Sequence, residues 1–320
     1  MKIILLTGGL YSIPVIHYLS AQKLLHSIVS PGKANKNNIP IELNAQHLNI
    51  PFKRFLKEEL NIGFKDWLTE AQVDAVFVFG CPYKISPTLT ALPKFGFFNI
   101  HFSLLPAYRG KSPVFWQIKN GAQTGGITIH QVTENYDDGP MLMQHEISIA
   151  QGESLGLYTN RLAMESVQVI SKGIEKLNTT GNDLLFPQNE NNASYFAAPV
   201  IDDLKIDWET QSANEIENLV NATNPDYGGA VTQFRGLPFR ILEVNLVQVN
   251  NPSTFIPGSI VHSDVNYGVI VACKETQFLR LNVVQFTEGI FSGFKLAALG
   301  IAAGEHFENA ANLSGLTINS

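Results

Sequence analysis

Asp74-Ala-Val-Phe-Val-Phe-Gly80 is apolar at every position between its two ends. A half-buried strand alternates apolar and polar residues. A strand that does not alternate has both faces covered, as in a parallel sheet between layers of helix. Upstream, Lys2 to Leu6, Leu24 to Ser30 and Phe52 to Phe55 read as further strands. Between them lie helical stretches at Tyr11 to Ser20, at Pro40 to Leu48 (opened by a proline) and at Asn61 to Ala71. The last carries a stripe of Ile62, Phe64, Trp67 and Leu68. Strands alternating with helices predict an α/β, doubly wound, Rossmann-like domain. Open α/β sheets bind ligands beyond the carboxyl ends of their strands. The loop Gly80-Cys81-Pro-Tyr83-Lys84-Ile85-Ser-Pro87 is therefore a candidate binding loop, and equally describes an ordinary strand-to-helix connection. Thr7-Gly8-Gly9-Leu10-Tyr11 lacks the full dinucleotide fingerprint and reads as a tight turn.

Downstream, Phe97 to His101 reads as a short buried strand that gives way to Ser103-Leu-Leu-Pro106. Pro106 cannot donate to a ladder and pushes the residue before it away from helix, so a loop begins there. Side chains two apart on a strand share a face, which makes Asn99 and His101 neighbours at the rim. An amide donates to an oxygen that turns negative, and a neutral imidazole accepts a proton. Taken alone, Asn-x-His also describes a capped strand end with a satisfied polar pair. Gly126 to Glu134 reads as another strand, in which His130 alternates with apolar residues like a satisfied core histidine. It runs into Asn135-Tyr136-Asp137-Asp138-Gly139-Pro140, a turn, and Met141 to Ile149 returns. The turn brings a carboxylate back toward the strand end. Asn99, His101 and Asp137 would together handle a proton, with the aspartate orienting the imidazole and raising its basicity.

The second half reads differently. Ser112 to Asn120 and Leu155 to Leu177 are helical, and Asn178 to Ala197 is polar, with Pro187 and Gln188-Asn-Glu-Asn-Asn192 giving it a linker's composition. Ala213 to Asn221 reads as a helix. Short runs of strand composition follow at Ala230 to Arg235, Phe239 to Val249, Ser259 to His262, Gly268 to Cys273 and Phe278 to Phe286. Their spacing and Gly/Pro turns predict a small, OB-like β-barrel. The expected division is a catalytic domain at 1–180, a linker at 181–200 and a C-terminal β-barrel domain at 201–320.

The 320-residue chain is 45% hydrophobic and 16% charged, as expected of an ordered protein of two domains. Ile3-Ile-Leu-Leu6 is too short for the apolar core of a signal peptide, and no apolar stretch reaches membrane-spanning length. Cys81 and Cys273 suggest neither a disulfide framework nor a metal site, and Cys81 reads as a small apolar filler. A cytoplasmic protein without metal or membrane partner is the expectation. Its net charge of −6 is uneven. Residues 200–320 hold 6 Lys+Arg against 13 Asp+Glu, a balance of −7, whereas a nucleic-acid surface needs a positive footprint.

Asn99-x-His101-x-Ser103-Leu-Leu-Pro106-x-Tyr108-Arg109-Gly110, then His130-Gln-Val-Thr133, then Tyr136-Asp137-Asp138-Gly139-Pro140-Met-Leu142, resembles the formyltransferase family that uses 10-formyltetrahydrofolate. The dense match covers residues 80–145, and a looser one over the whole chain resembles two-domain members of the methionyl-tRNA formyltransferase type. The resemblance implies Asn99, His101 and Asp137 as the catalytic trio. It implies a folate pocket at Tyr83, Lys84, Ile85, Glu134 and Tyr136, with Ser103 and Arg109 toward the substrate. Three departures are visible: Leu5-Leu-Thr-Gly-Gly9 in place of a Gly-Thr-Pro signature, a short basic loop at Lys33-Ala-Asn-Lys36, and Asp226-Tyr-Gly228 in place of Trp-Pro-Gly. With the acidic C-terminal half, they turn the expectation toward a small-molecule or carrier-bound amine, such as an amino sugar on a nucleotide or an aminoacyl group, with tRNA disfavoured. Methionyl-tRNA formylation, hydrolysis of the formyl-folate and a non-catalytic folate-binding protein are the alternatives.

Overall fold

The computed structural model describes residues 1–60, 62–249 and 254–310. Asn61, the expected start of a helix, and residues 250–253 and 311–320 of the expected C-terminal domain lie outside the described residues. The chain forms two compact units. One comprises Met1–Pro113, Thr124–Ser148 and Thr159–Phe196, and the other Val114–Gln123, Ile149–Tyr158 and Ala197–Ser320.

In chain order the first half carries β1 (Ile3–Thr7), α1 (Ile13–Ala21), β2 (Leu25–Pro31), α2 (Ile39–His47), β3 (Phe52–Phe55), α3 (Gly63–Ala71), β4 (Ala75–Phe79), α4 (Pro87–Thr90), β5 (Phe97–His101) and β6 (Arg109–Gly110). Then come α5 (Pro113–Lys119), β7 (Thr124–Gln131), β8 (Met141–Ser148), α6 (Leu155–Thr180) and β9 (Tyr195–Phe196). The first unit is built on a seven-stranded sheet in the order β3-β2-β1-β4-β5-β7-β8. Its first five strands run parallel, while β7 and β8 pair antiparallel. This is the doubly wound, Rossmann-like arrangement. Every residue of β1 and of β4 is buried, as their unbroken apolar runs require. Phe64, Leu68 and Ala71 turn the inner face of α3 to the core, whereas Ile62 precedes the helix and is 70% exposed.

The segment after α6 packs within this unit. Phe186 N–H donates to Met141 O and Met141 N–H donates to Phe186 O, and β9 pairs with β6 in parallel. Gly110 tolerates no side chain there, since a Cβ would come within 2.2 Å of Phe196 O.

The second unit contains most of α5, then α7 (Ala213–Thr223), β10 (Ala230–Phe234), β11 (Leu237–Val247), β12 (Ile260–Asp264), β13 (Gly268–Cys273), β14 (Gln277–Phe286), β15 (Gly289–Ser292), α8 (Gly293–Ala298) and β16 (Phe307–Glu308). A capping box starts α7: Ser212 Oγ accepts from Glu215 N–H, and Glu215 accepts from Ser212 N–H. The strands run antiparallel in the order β12-β13-β14-β11-β10-β16, with β15 on β14. A bridge between Ser259 and His306 links the two ends of that path, with Ile260 N–H donating to Glu305 O at 2.8 Å. The sheet therefore curls into a small barrel. Trp208 is fully buried in its core, with Nε1–H donating to Thr232 Oγ1 at 2.8 Å and its ring stacked on Phe307.

Candidate active site

In the register of β5 against β7, Asn99 lies opposite His130 and His101 opposite Thr128. Cross-strand partners share a face, so antiparallel pairing brings a second imidazole beside Asn99. The loop from β7 to β8 then folds back over the strand ends. Gly139 makes this possible, because a Cβ there would lie 1.9 Å from Gln131 O. Asp137 sits in the loop at φ +57°, a left-handed conformation that aspartate tolerates better than most residues.

Four groups meet the Asp137 carboxylate. Asn99 Nδ2 donates to Oδ1 at 3.2 Å, and Gly110 N–H donates to Oδ2 at 2.9 Å. His101 Nδ1 lies 3.6 Å and His130 Nε2 3.3 Å from Oδ1. His101 and Asp137 are nearly buried, and Asn99 is partly open. The structure thus brings together the three residues singled out as catalytic and adds His130, which is core-buried and hydrogen-bonded as expected but shares their carboxylate.

The hydrogen-bond partners assign the tautomers. His101 Nε2 is 2.9 Å from Tyr108 O, which only accepts, so Nε2 carries the hydrogen. The bare Nδ1 of the neutral ring then faces Asp137. By the same logic His130 Nδ1–H donates to Gln131 O at 3.0 Å, leaving Nε2 to accept from Asn99 Nδ2 at 3.2 Å. Burial pushes the His101 pKa below its ordinary value, against the opposing pull of Asp137, so the imidazole is neutral and ready to accept. Burial alone would raise the Asp137 pKa, but at the acidic pH where a carboxylate titrates the imidazoles are protonated, and their charge, with the Gly110 N–H, holds it well below the usual carboxylate range. The result is an ionised carboxylate facing a proton acceptor.

The surrounding loops are pinned by residues whose spacing gave no signal. Thr128 Oγ1 donates to Ser103 O and accepts from Leu105 N–H, and Gln144 Nε2 donates to Leu105 O and to Thr128 Oγ1. Ser103 is buried and its hydroxyl donates to Ala107 O at 2.7 Å, inside its own loop. Arg109, expected toward the substrate, is fully buried, and its guanidinium is engaged by Gln188, Glu190 and Tyr195. Its charge is satisfied by the protein.

The two segments expected to hold the folate lie against each other, with Lys84 Nζ 5.2 Å from the centre of the Tyr136 ring. Ile85 is buried, Tyr83 half-buried, and Glu134 and Tyr136 exposed. Tyr83, Cys81 and Val132 rest on the apolar core with one side open. Burial pushes the Cys81 thiol up to about 11, so it is a neutral filler rather than a nucleophile. Among the described residues no group of three or more His, Cys, Asp or Glu is placed to hold a metal ion. No helix among them is long and apolar enough to cross a membrane.

The chain matches the family profile described as formyl transferase over residues 26–174, and that of the formyl transferase C-terminal domain over 201–292. It is 30% identical over 298 residues to a methionyl-tRNA formyltransferase of Alkaliphilus oremlandii, spanning 90% of this chain and 92% of that one. It is 35% identical over 222 residues to the enzyme of the same name from Aromatoleum aromaticum, covering 69% of this chain and 67% of the relative. Among solved structures it resembles WlaRD, described as a sugar 3N-formyl transferase in the presence of dTDP and 5-N-formyl-THF. That likeness has a TM-score of 0.65 at 16% identity, over 98% of this chain and 99% of that one. The chain belongs to the formyltransferase family, and it is an enzyme of that class with both of the family's domains.

Proposed function

We propose that this chain transfers a formyl group from 10-formyltetrahydrofolate to a primary amine. Asn99, His101 and Asp137 are its catalytic residues in this reading. The observation that carries it is the convergence of Asn99 and His101 on one buried carboxylate at a strand end. The donor assignment draws on two facts. WlaRD is described with a formyl-folate, and the loops at 83–85 and 134–136 offer half-open aromatic and apolar side chains suited to a flat ring. Tyr83, Ile85 and Tyr136 would hold that ring, and the bound donor would supply the activated formyl carbon.

The chain's own residues then divide the work. As an amine attacks a formyl carbon, the carbonyl oxygen turns negative, and Asn99 is the amide placed to donate to it. Both of its N–H groups are engaged here, one by Asp137 and one by His130. An oxygen that has turned negative is a stronger acceptor than the neutral His130 Nε2, so the N–H now given to His130 is the one that would turn to it. His101 Nδ1 accepts the proton leaving the amine, and Asp137 stabilises the imidazolium so formed. The same proton passes to the donor nitrogen as its bond to the formyl carbon breaks and tetrahydrofolate departs.

For the acceptor we propose a small or carrier-bound amine, supported by the balance of −7 over residues 200–320. Methionyl-tRNA is the second reading. The relatives at 30% and 35% identity carry its name, so the expectation that disfavoured tRNA finds no support in them. The test is turnover of 10-formyltetrahydrofolate with a panel of amino sugar nucleotides, aminoacyl carriers and methionyl-tRNA. Turnover of a small amine but not of methionyl-tRNA fits the first reading, and the reverse pattern replaces it with the second.

A further inference from the structure

The polar segment after α6 does more than join two parts of the chain. Gln188, nearly buried, donates from Nε2 to the main-chain oxygens of both Asp137 and Gly139 at 2.8 Å. Its Oε1 accepts from Arg109 Nη2 at 2.7 Å and Nε at 3.1 Å. Arg109 spends its remaining donors on Glu190 and Tyr195 of the same segment. A few residues on, Ser194 Oγ accepts from Tyr108 N–H at 2.9 Å, and the Tyr108 ring stacks on Phe196. Tyr108 supplies the carbonyl that orients His101. Asp137 and Tyr108 both hold left-handed backbone, at φ +57° and +59°. Such conformations persist only where the surroundings over-determine them. Residues 188–196 therefore grip both strained positions, one presenting the carboxylate and the other the carbonyl that sets the imidazole.

We propose that residues 188–196 form a strap that sets the geometry of the proton-handling site, with Gln188 as a positioning residue for Asp137. It acts through the main chain and touches no substrate. This rests on the formyl-transfer reading above, and its test separates the two.

In Gln188→Met the size is kept and both main-chain bonds are lost without a change of charge. The kcat for formyl transfer should fall about tenfold to a hundredfold, because a small displacement of a catalytic group costs that much. The KM for donor and amine should stay within about twofold. The His101 imidazole, followed by NMR without any substrate, should titrate at lower pH than in the unaltered chain, since a displaced Asp137 no longer favours the imidazolium. Wild-type kcat with an unmoved titration, or a loss confined to KM, would overturn the proposal. Should Gln188→Met not fold, Gln188→Glu keeps the acceptor for Arg109 and loses the donors. A wild-type kcat there would be equally fatal. If the unaltered chain transfers no formyl group, the functional reading falls, and the strap is judged on the imidazole titration alone.

Discussion

Each unit of the molecule holds an aspartate–histidine pair, and the two differ in an instructive way. In the barrel, His262 Nε2 lies 2.8 Å from Asp264 Oδ2, closer than the 3.6 Å between His101 and Asp137. Distance alone would rank the barrel pair first. Yet its side chains are 42% and 36% exposed, and Asp264 also accepts from the N–H groups of Asn266 and Tyr267, as an aspartate does in a turn. Water screens such a pair. The Asp137 carboxylate is 10% exposed and meets two imidazoles, a side-chain amide and a main-chain N–H. What marks a site is the number of groups forced to share one buried charge.

The widest gap between the pairs is expected in activity. Asp137→Asn should reduce formyl transfer by about a hundredfold to ten-thousandfold, the span of general acid–base contributions, in a protein that still folds. Asp264→Asn, assayed alongside, should stay within about twofold. His101→Ala belongs with the large losses and His262→Ala with the small. Near-normal turnover by folded His101→Ala would remove that residue from the mechanism. His130→Ala sharpens the contrast between the buried imidazoles. It leaves His101 and Asp137 in place but removes a partner that orients the Asn99 amide, so its loss should be smaller, about tenfold, and carried by kcat.

A more modest effect is expected in the pH profile. His101 is held below the ordinary imidazole value of about 6.5, so kcat/KM should fall only on acidification below that point. Because Asp137 raises the His101 pKa against burial, the acid limb of Asp137→Asn should move lower still. An acid limb above pH ~6.5, or one that the substitution moves upward, would contradict the assigned electrostatics.

The smallest effect is in stability. The Asp137 carboxyl is depressed in the fold, so its contribution is complete above the unfolded carboxylate value and is lost as pH falls through the folded one. His101 is also lowered, so stability declines as pH drops from the unfolded imidazole value through the folded one. Melting temperature against pH should show both declines in the unaltered chain, and Asp137→Asn should lack the carboxylate step. If it keeps that step, Asp137 is not its source.

How far these features could be read in the sequence depended on how local their cause was. Unbroken apolar runs exposed β1 and β4, and two-residue spacing paired Asn99 with His101. His130 was readable as buried but not as a neighbour of Asp137, because that contact needs the antiparallel register of β5 and β7. Arg109 looked free because its partners lie about eighty residues on, in a stretch whose polarity resembled a linker. Gln188 was hidden for the same reason. β15 and β16, at four and two residues, are too short for any period to register. Ile62 fitted a helical stripe yet precedes the helix, since one residue more or less at a helix start lies beyond what spacing decides.

The most direct test is a formyl-transfer assay with purified protein, 10-formyltetrahydrofolate and the panel of primary amines, run in parallel on the unaltered chain and Asp137→Asn. The account predicts N-formylation of an amine by the unaltered chain and near-complete loss in the variant, with both proteins folded and both protected against melting by the folate. Equal turnover by the two would contradict it, as would a folded unaltered chain that neither binds the folate nor formylates any amine offered.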